Sequence, residues 1–132
     1  MALFTKCILD EKTSQDGFRI SVMSRHTLND GLTPDSRINN QDYDFHLKFL
    51  SPSSKLLGAY YKRGLTWNEF ENLYFKQTEG MAKSFLIRIL AKLALKFDIT
   101  LMCIEKEPDK CHRRLLAEKC RYYEPKLKIV ID

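Results

Sequence analysis

The sequence contains no run of about eighteen uncharged apolar residues, so it offers no candidate for a membrane-spanning helix. Its first residues, Met1 to Lys6, lack the charged segment and long apolar stretch of a secretion signal. A cytoplasmic protein without membrane contact is therefore expected. Only four cysteines occur, at positions 7, 103, 111 and 120, and no two are spaced Cys-x-x-Cys. In a reducing compartment they read as free thiols, and neither a zinc ribbon nor a thioredoxin-like centre is indicated. Glycine and proline are sparse, at five and four residues, and no internal repeat or low-complexity tract interrupts the chain. Also missing are a glycine-lysine phosphate loop, a zinc finger and an alternating aromatic-basic platform for bases.

What is present fits one domain spanning residues 1–132, with 44% hydrophobic residues to build a core. The formal net charge is +5, yet residues 1–80 carry ten basic and ten acidic side chains, so the whole surplus lies in the last 52 residues. A basic protein charged on one side favours anionic partners: a nucleotide, a phosphorylated metabolite or nucleic acid.

Apolar patterning places strands at 3–9, 19–24, 43–50, 99–103 and 127–131. A long loop rich in Asn, Asp, Gly and Pro occupies 25–42, a length that suits a cover over a site. Ser51-Pro52 opens a helix running through Tyr61, and Gly64 ends it. Thr66-Trp-Asn-Glu69 has the capping-box pattern of a second helix reaching about Gln77, with Trp67, Phe70 and Tyr74 on one stripe that reads as core. The third helix, 81–97, is nearly all apolar apart from the ridge Arg88, Lys92 and Lys96, and a fourth spans about 109–121. Alternating helices and strands favour parallel crossovers. The expected fold is α/β: a single three-layer domain whose small, mostly parallel sheet of four to five strands carries helices on both faces.

Chemistry concentrates at one strand-to-helix corner. The strand 99–103 empties at Cys103 into a polar loop, which becomes a helix at Cys111-His112-Arg113. Ligand sites of helix-flanked sheets gather at such carboxyl edges. Cys111 at the helix start is expected to have a lowered pKa, with His112 as proton carrier, Cys103 as second thiol and Arg113 as a fork for carboxylate or phosphate. Lys106 on the loop, and Arg25 and His26 after the second strand, are the candidates to complete ligand binding. A cysteine-phosphatase loop is disfavoured, because five residues must separate its cysteine and arginine; nine separate Cys103 from Arg113, and Cys111 is two positions away. No metal is assigned, since an adjacent Cys-His pair rarely aims both side chains at one ion. No cofactor is identified.

The segment Cys103-x-Glu105-Lys106-x-Pro108-x-x-Cys111-His112-Arg113-x-x-Leu116-Ala117 resembles the signature of the domain-of-unknown-function 488 family. Arg19 to Ser24, Phe49 to Leu57, and Thr66-Trp-Asn-Glu-Phe70 with Tyr74 resemble its second strand, its Pro-Ser helix start and its Trp-x-x-Phe-x-x-x-Tyr helix. The resemblance covers most of the chain and implies one α/β domain of that type. It implies little about activity, because the family's name assigns none.

Two functions from different classes follow. In the first, the Cys103 to Arg113 corner binds a small anionic ligand, as an enzyme would using Cys111, His112 and Cys103. In the second, the chain is a nucleic-acid-associated accessory protein without catalysis, using its basic C-terminal half. A third reading makes the corner polar packing alone. Substrate and oligomeric state are not written in the sequence.

Overall fold

The structure is a computed structural model describing residues 1–28 and 30–132. Residue 29, part of the loop expected at 25–42, lies outside the described residues. Five strands, β1 (Leu3–Cys7), β2 (Phe18–Ser21), β3 (Phe45–His46), β4 (Ile99–Cys103) and β5 (Ile129–Val130), form one sheet in the order β3-β2-β4-β1-β5. Every pairing is parallel, so the strands end at a common carboxyl edge. Four helices accompany them: α1 (Ser54–Lys62), α2 (Trp67–Thr78), α3 (Met81–Ala94) and α4 (His112–Tyr123). The chain is thus the expected α/β fold. Among the described residues no helix is long and apolar enough to cross a membrane.

The registers Leu3 to Ile99 and Phe18 to Ile99 put Leu3, Ile20, Ile99 and Leu101 on one sheet face. Those residues pack against Ile87, Leu90, Ala91 and Ala94 of α3 and Leu116, Ala117 and Cys120 of α4. Only one side of α3 is used this way, which leaves Phe85, Ile89 and Leu93 exposed beside the expected cationic ridge. The opposite face carries Met102, Met23 and Ile8, covered by Ile38 of the 25–42 segment and by Tyr43 just after it. Over the same face passes the β1–β2 connection with its short helical turn Ser14–Asp16. Buried Thr100 of β4 donates a hydrogen bond to the Asp16 main-chain oxygen at 2.7 Å, and the Asp16 carboxylate holds Lys6 and Arg19. Gly17 is required where that connection meets the sheet: its φ is 62°, and a Cβ there would stand 2.0 Å from the Asp98 carbonyl oxygen.

Element boundaries shift from the sequence expectation for local reasons. The strand expected over 43–50 shrinks to Phe45–His46, because a tight turn at Lys48–Leu50 follows at once. The next helix begins at Ser54, capped by the Ser53 side chain, which accepts from the Leu56 amide; Ser51 lies in extended conformation ahead of it. The capping box of α2 forms as expected, with Thr66 Oγ1 accepting from the Glu69 amide at 3.2 Å. Phe70 and Tyr74 of its aromatic stripe are buried, and the Tyr74 hydroxyl donates to the Leu50 main-chain oxygen at 2.7 Å. Replacing Tyr74 by Phe leaves that buried carbonyl without its donor. A loss of about 1–2 kcal/mol in urea unfolding is expected, and no loss would mean that the carbonyl finds another donor.

Candidate functional site

β4 delivers Cys103 to the carboxyl edge of the sheet, and α4 begins nine residues later. Cys111 is the N-cap, in extended conformation, rather than a first-turn residue, and its side chain makes no capping hydrogen bond. His112 opens the helix proper. This change of backbone conformation between neighbours overturns the expectation that adjacent Cys and His side chains diverge: the Cys103 and Cys111 sulfurs and a His112 ring nitrogen lie within 4.8 Å of one another. They are also the one grouping of Cys, His or acidic side chains among the described residues near enough to share an ion.

The His112 ring is fixed at both ends. Its Nε2 lies 2.6 Å from the Val22 main-chain oxygen, and a carbonyl can only accept, so Nε2 carries the proton. In the neutral ring Nδ1 then has a free lone pair, aimed at Cys103 Sγ 3.8 Å away. The Tyr74 ring packs against the imidazole at a steep angle, 5.8 Å between centroids. A base, its tautomer-fixing partner and a thiol are thereby aligned.

The two buried thiols are shifted in opposite directions. The Cys103 pKa is lowered by a hydrogen bond from the Cys111 thiol; burial opposes this, and the Ile104 and Glu105 amides and the Arg113 charge assist. Cys111 is pushed well above the ordinary thiol value, because its proton is held by Cys103 and because it is buried. The helix-start thiolate expected at Cys111 is thus displaced to its partner, for a physical reason: two buried sulfurs this close cannot both be charged. Cys120, in the core, is raised by burial to about 12. All four cysteines are free and buried.

A cleft of about 490 Å³ opens over the corner, with Cys103 and His112 at its floor and Met23, Leu28, Leu57 and Ile104 among its apolar lining. Arg25 and Lys62 stand on its rim. Residues 54, 57, 58, 61 and 62 of α1 form one helical face along it, and the Tyr61 hydroxyl donates to the Glu105 carboxylate. Ser54, Tyr61 and Lys62 were not singled out from the sequence. Their periodicity is visible there, but nothing local says which element α1 covers.

The other sequence candidates separate. Arg113 has no exposed surface. Its Nε and Nη2 donate to the Asp132 main-chain oxygen at 3.2 and 3.0 Å, and Nη1 donates to the Glu105 oxygen at 2.6 Å and to Cys111 Sγ at 3.4 Å. Nη2 also reaches the Lys106 oxygen at 3.5 Å. The fork expected to clamp an anion is occupied by the chain's own carbonyls, and it lies behind the cleft rather than lining it. Lys106 contributes that oxygen, while its side chain is exposed. Arg25 does reach the cleft. His26 turns toward β2 and β3: its Nε2 lies 2.7 Å from Ser21 Oγ, and its ring stacks on His46 at 4.2 Å.

Residues 3–124 match a family model described as the "Active DUF488-N3 subclade". No curated protein and no solved structure matches the chain.

Proposed function

The chain belongs to the DUF488 family, and from that premise we propose that it is a thiol-dependent enzyme acting on a small anionic substrate in the cleft over the Cys103 to Arg113 corner. The observation that carries the reading is the alignment of Cys103 Sγ with the unprotonated Nδ1 of His112, whose opposite nitrogen is held by Val22. His112 takes the Cys103 proton as the sulfur attacks an electrophilic centre, and the imidazolium returns it to the leaving group. The Ile104 and Glu105 amides and the buried Arg113 charge favour the thiolate before attack. Arg113 acts as a positioning residue, tying the loop 105–106 to α4. Arg25 and Lys62 attract the substrate's negative groups while the apolar lining accepts its body.

Paired alkylating reagents test this without knowledge of the substrate. Negatively charged iodoacetate and neutral iodoacetamide should both modify Cys103. Replacing Arg25 and Lys62 together by Ala should slow iodoacetate about three- to tenfold and leave iodoacetamide unchanged, since only the charged reagent gains from the rim. Equal rates for both reagents in parent and variant would remove the anion site. A Cys103 that reacts with neither would remove the nucleophile.

A further inference from the structure

Attack by Cys103 with His112 as base leaves one member of the cluster without a task. Cys111 occupies an N-cap position, where Ser, Thr, Asp or Asn would stabilise the helix better, and its sulfur caps nothing. It sits 2% exposed behind Cys103, within 4.8 Å of it, and receives a hydrogen bond from Arg113 Nη1 at 3.4 Å. A disulfide needs its sulfurs about 2.05 Å apart. Bonding therefore needs the sulfurs to approach by at most roughly 3 Å, from the Cys111 end of the loop that precedes α4.

We propose that Cys103 and Cys111 are a dithiol–disulfide couple that reduces a small anionic disulfide bound in the cleft. The inference rests on the reading of Cys103 as nucleophile and assigns that site its substrate class. In the first step the Cys103 sulfur attacks one sulfur of the ligand, the ligand's S–S bond breaks, and the departing thiolate takes the proton that His112 removed from Cys103. A mixed disulfide remains. In the second step Cys111 attacks Cys103 Sγ, its proton passes by way of His112 to the second departing thiolate, and the Cys103–Cys111 bond closes. Two electrons and two protons leave the cysteine pair, and the ligand becomes two thiols. An external dithiol then returns the pair to its reduced form.

Three observations favour this chemistry over its neighbours. Once Cys103 is covalently capped, the charge that held the Cys111 proton is gone, and the Arg113 guanidinium beside Cys111 stabilises the second thiolate. The first step thus enables the second. A divalent ion on the same three atoms would stand beside that buried guanidinium, a like-charge arrangement that the couple avoids. A peroxide, the other common oxidant of thiols, needs neither a cleft of about 490 Å³ nor cations on its rim.

The test uses the reduced full chain, prepared without oxygen and with a chelator, and glutathione disulfide as the probe. Intact mass, peptide mapping and thiol release should show a Cys103–Cys111 bond and two glutathione thiols per chain. Cys111→Ser keeps a side chain suited to the N-cap; it should release one thiol and retain the other glutathione on Cys103. A parent protein that stops at the mixed disulfide on Cys103 would overturn the couple while leaving the nucleophile standing. Glutathione on Cys7 or Cys120 ahead of Cys103, or no reaction, would overturn both. If a parallel sample prepared without the chelator carries a bound ion and its Cys103 reacts only once the chelator is added, the cluster is a metal site and the couple is wrong.

Discussion

Replacing Arg113 by Ala should lower the free energy of unfolding by about 3–5 kcal/mol, a large share of the total for a domain of this size. The guanidinium is completely buried, and its donors reach the main-chain oxygens of Glu105, Lys106 and Asp132 and the sulfur of Cys111. Truncation takes the guanidinium donors from the Glu105 and Lys106 oxygens, leaves the Asp132 oxygen with only Thr5 Oγ1 as donor, and opens a cavity between the loop and α4. Each orphaned carbonyl costs about 1–3 kcal/mol. Arg113→Lys should recover only part of the loss, because one ammonium cannot span acceptors on both sides of a planar fork. Urea unfolding of the two variants checks this. A loss below about 1 kcal/mol for Arg113→Ala would show that the loop is anchored by something else.

The same residue shows where the sequence was legible and where it was not. Cys103, His112 and Arg113 were all found from one motif, because a strand emptying into a helix start is a local event that periodicity and capping reveal. Their hydrogen-bond partners were not local. Val22 fixes the His112 tautomer, and Asp132 occupies the Arg113 fork, from ninety and nineteen residues away respectively. Only the folded chain brings those oxygens to the corner. His26 lay at a strand end that reaches the right edge of the sheet, but its ring pairs with Ser21 and His46 because β3 docks beside β2. That pairing depends on a two-residue strand whose sequence looked longer. The parallel sheet itself was readable, since alternating helices and strands leave few other topologies. The face covered by the β1–β2 connection was not, because a turn of three residues carries no amphipathic signal.

The second large effect concerns Cys103. Its pKa is lowered, chiefly by the Cys111 hydrogen bond, so its thiolate population persists as pH falls below the ordinary thiol value. An unperturbed thiol loses about tenfold in thiolate for each pH unit below its pKa of roughly 8.5. Cys120, raised to about 12, is almost wholly protonated at neutral pH. A lower pKa also weakens intrinsic nucleophilicity, about half as steeply as it raises the thiolate fraction while the pKa stays above the ambient pH. Among the four buried cysteines Cys103 alone lines the cleft among the described residues, so access and charge favour the same sulfur. At pH 7 its alkylation should exceed that of Cys120 by a factor of about a hundred or more.

The measurement that bears most directly on this account is a timed iodoacetamide pulse on the native chain at pH 7, with the four cysteine peptides quantified separately. Cys103 should label first, Cys111 should follow far more slowly while Cys103 is free, and His112→Ala should slow Cys103 without changing Cys7 or Cys120. Labelling of Cys111, Cys7 or Cys120 ahead of Cys103 in the folded protein would contradict the assignment of Cys103 as the reactive thiol.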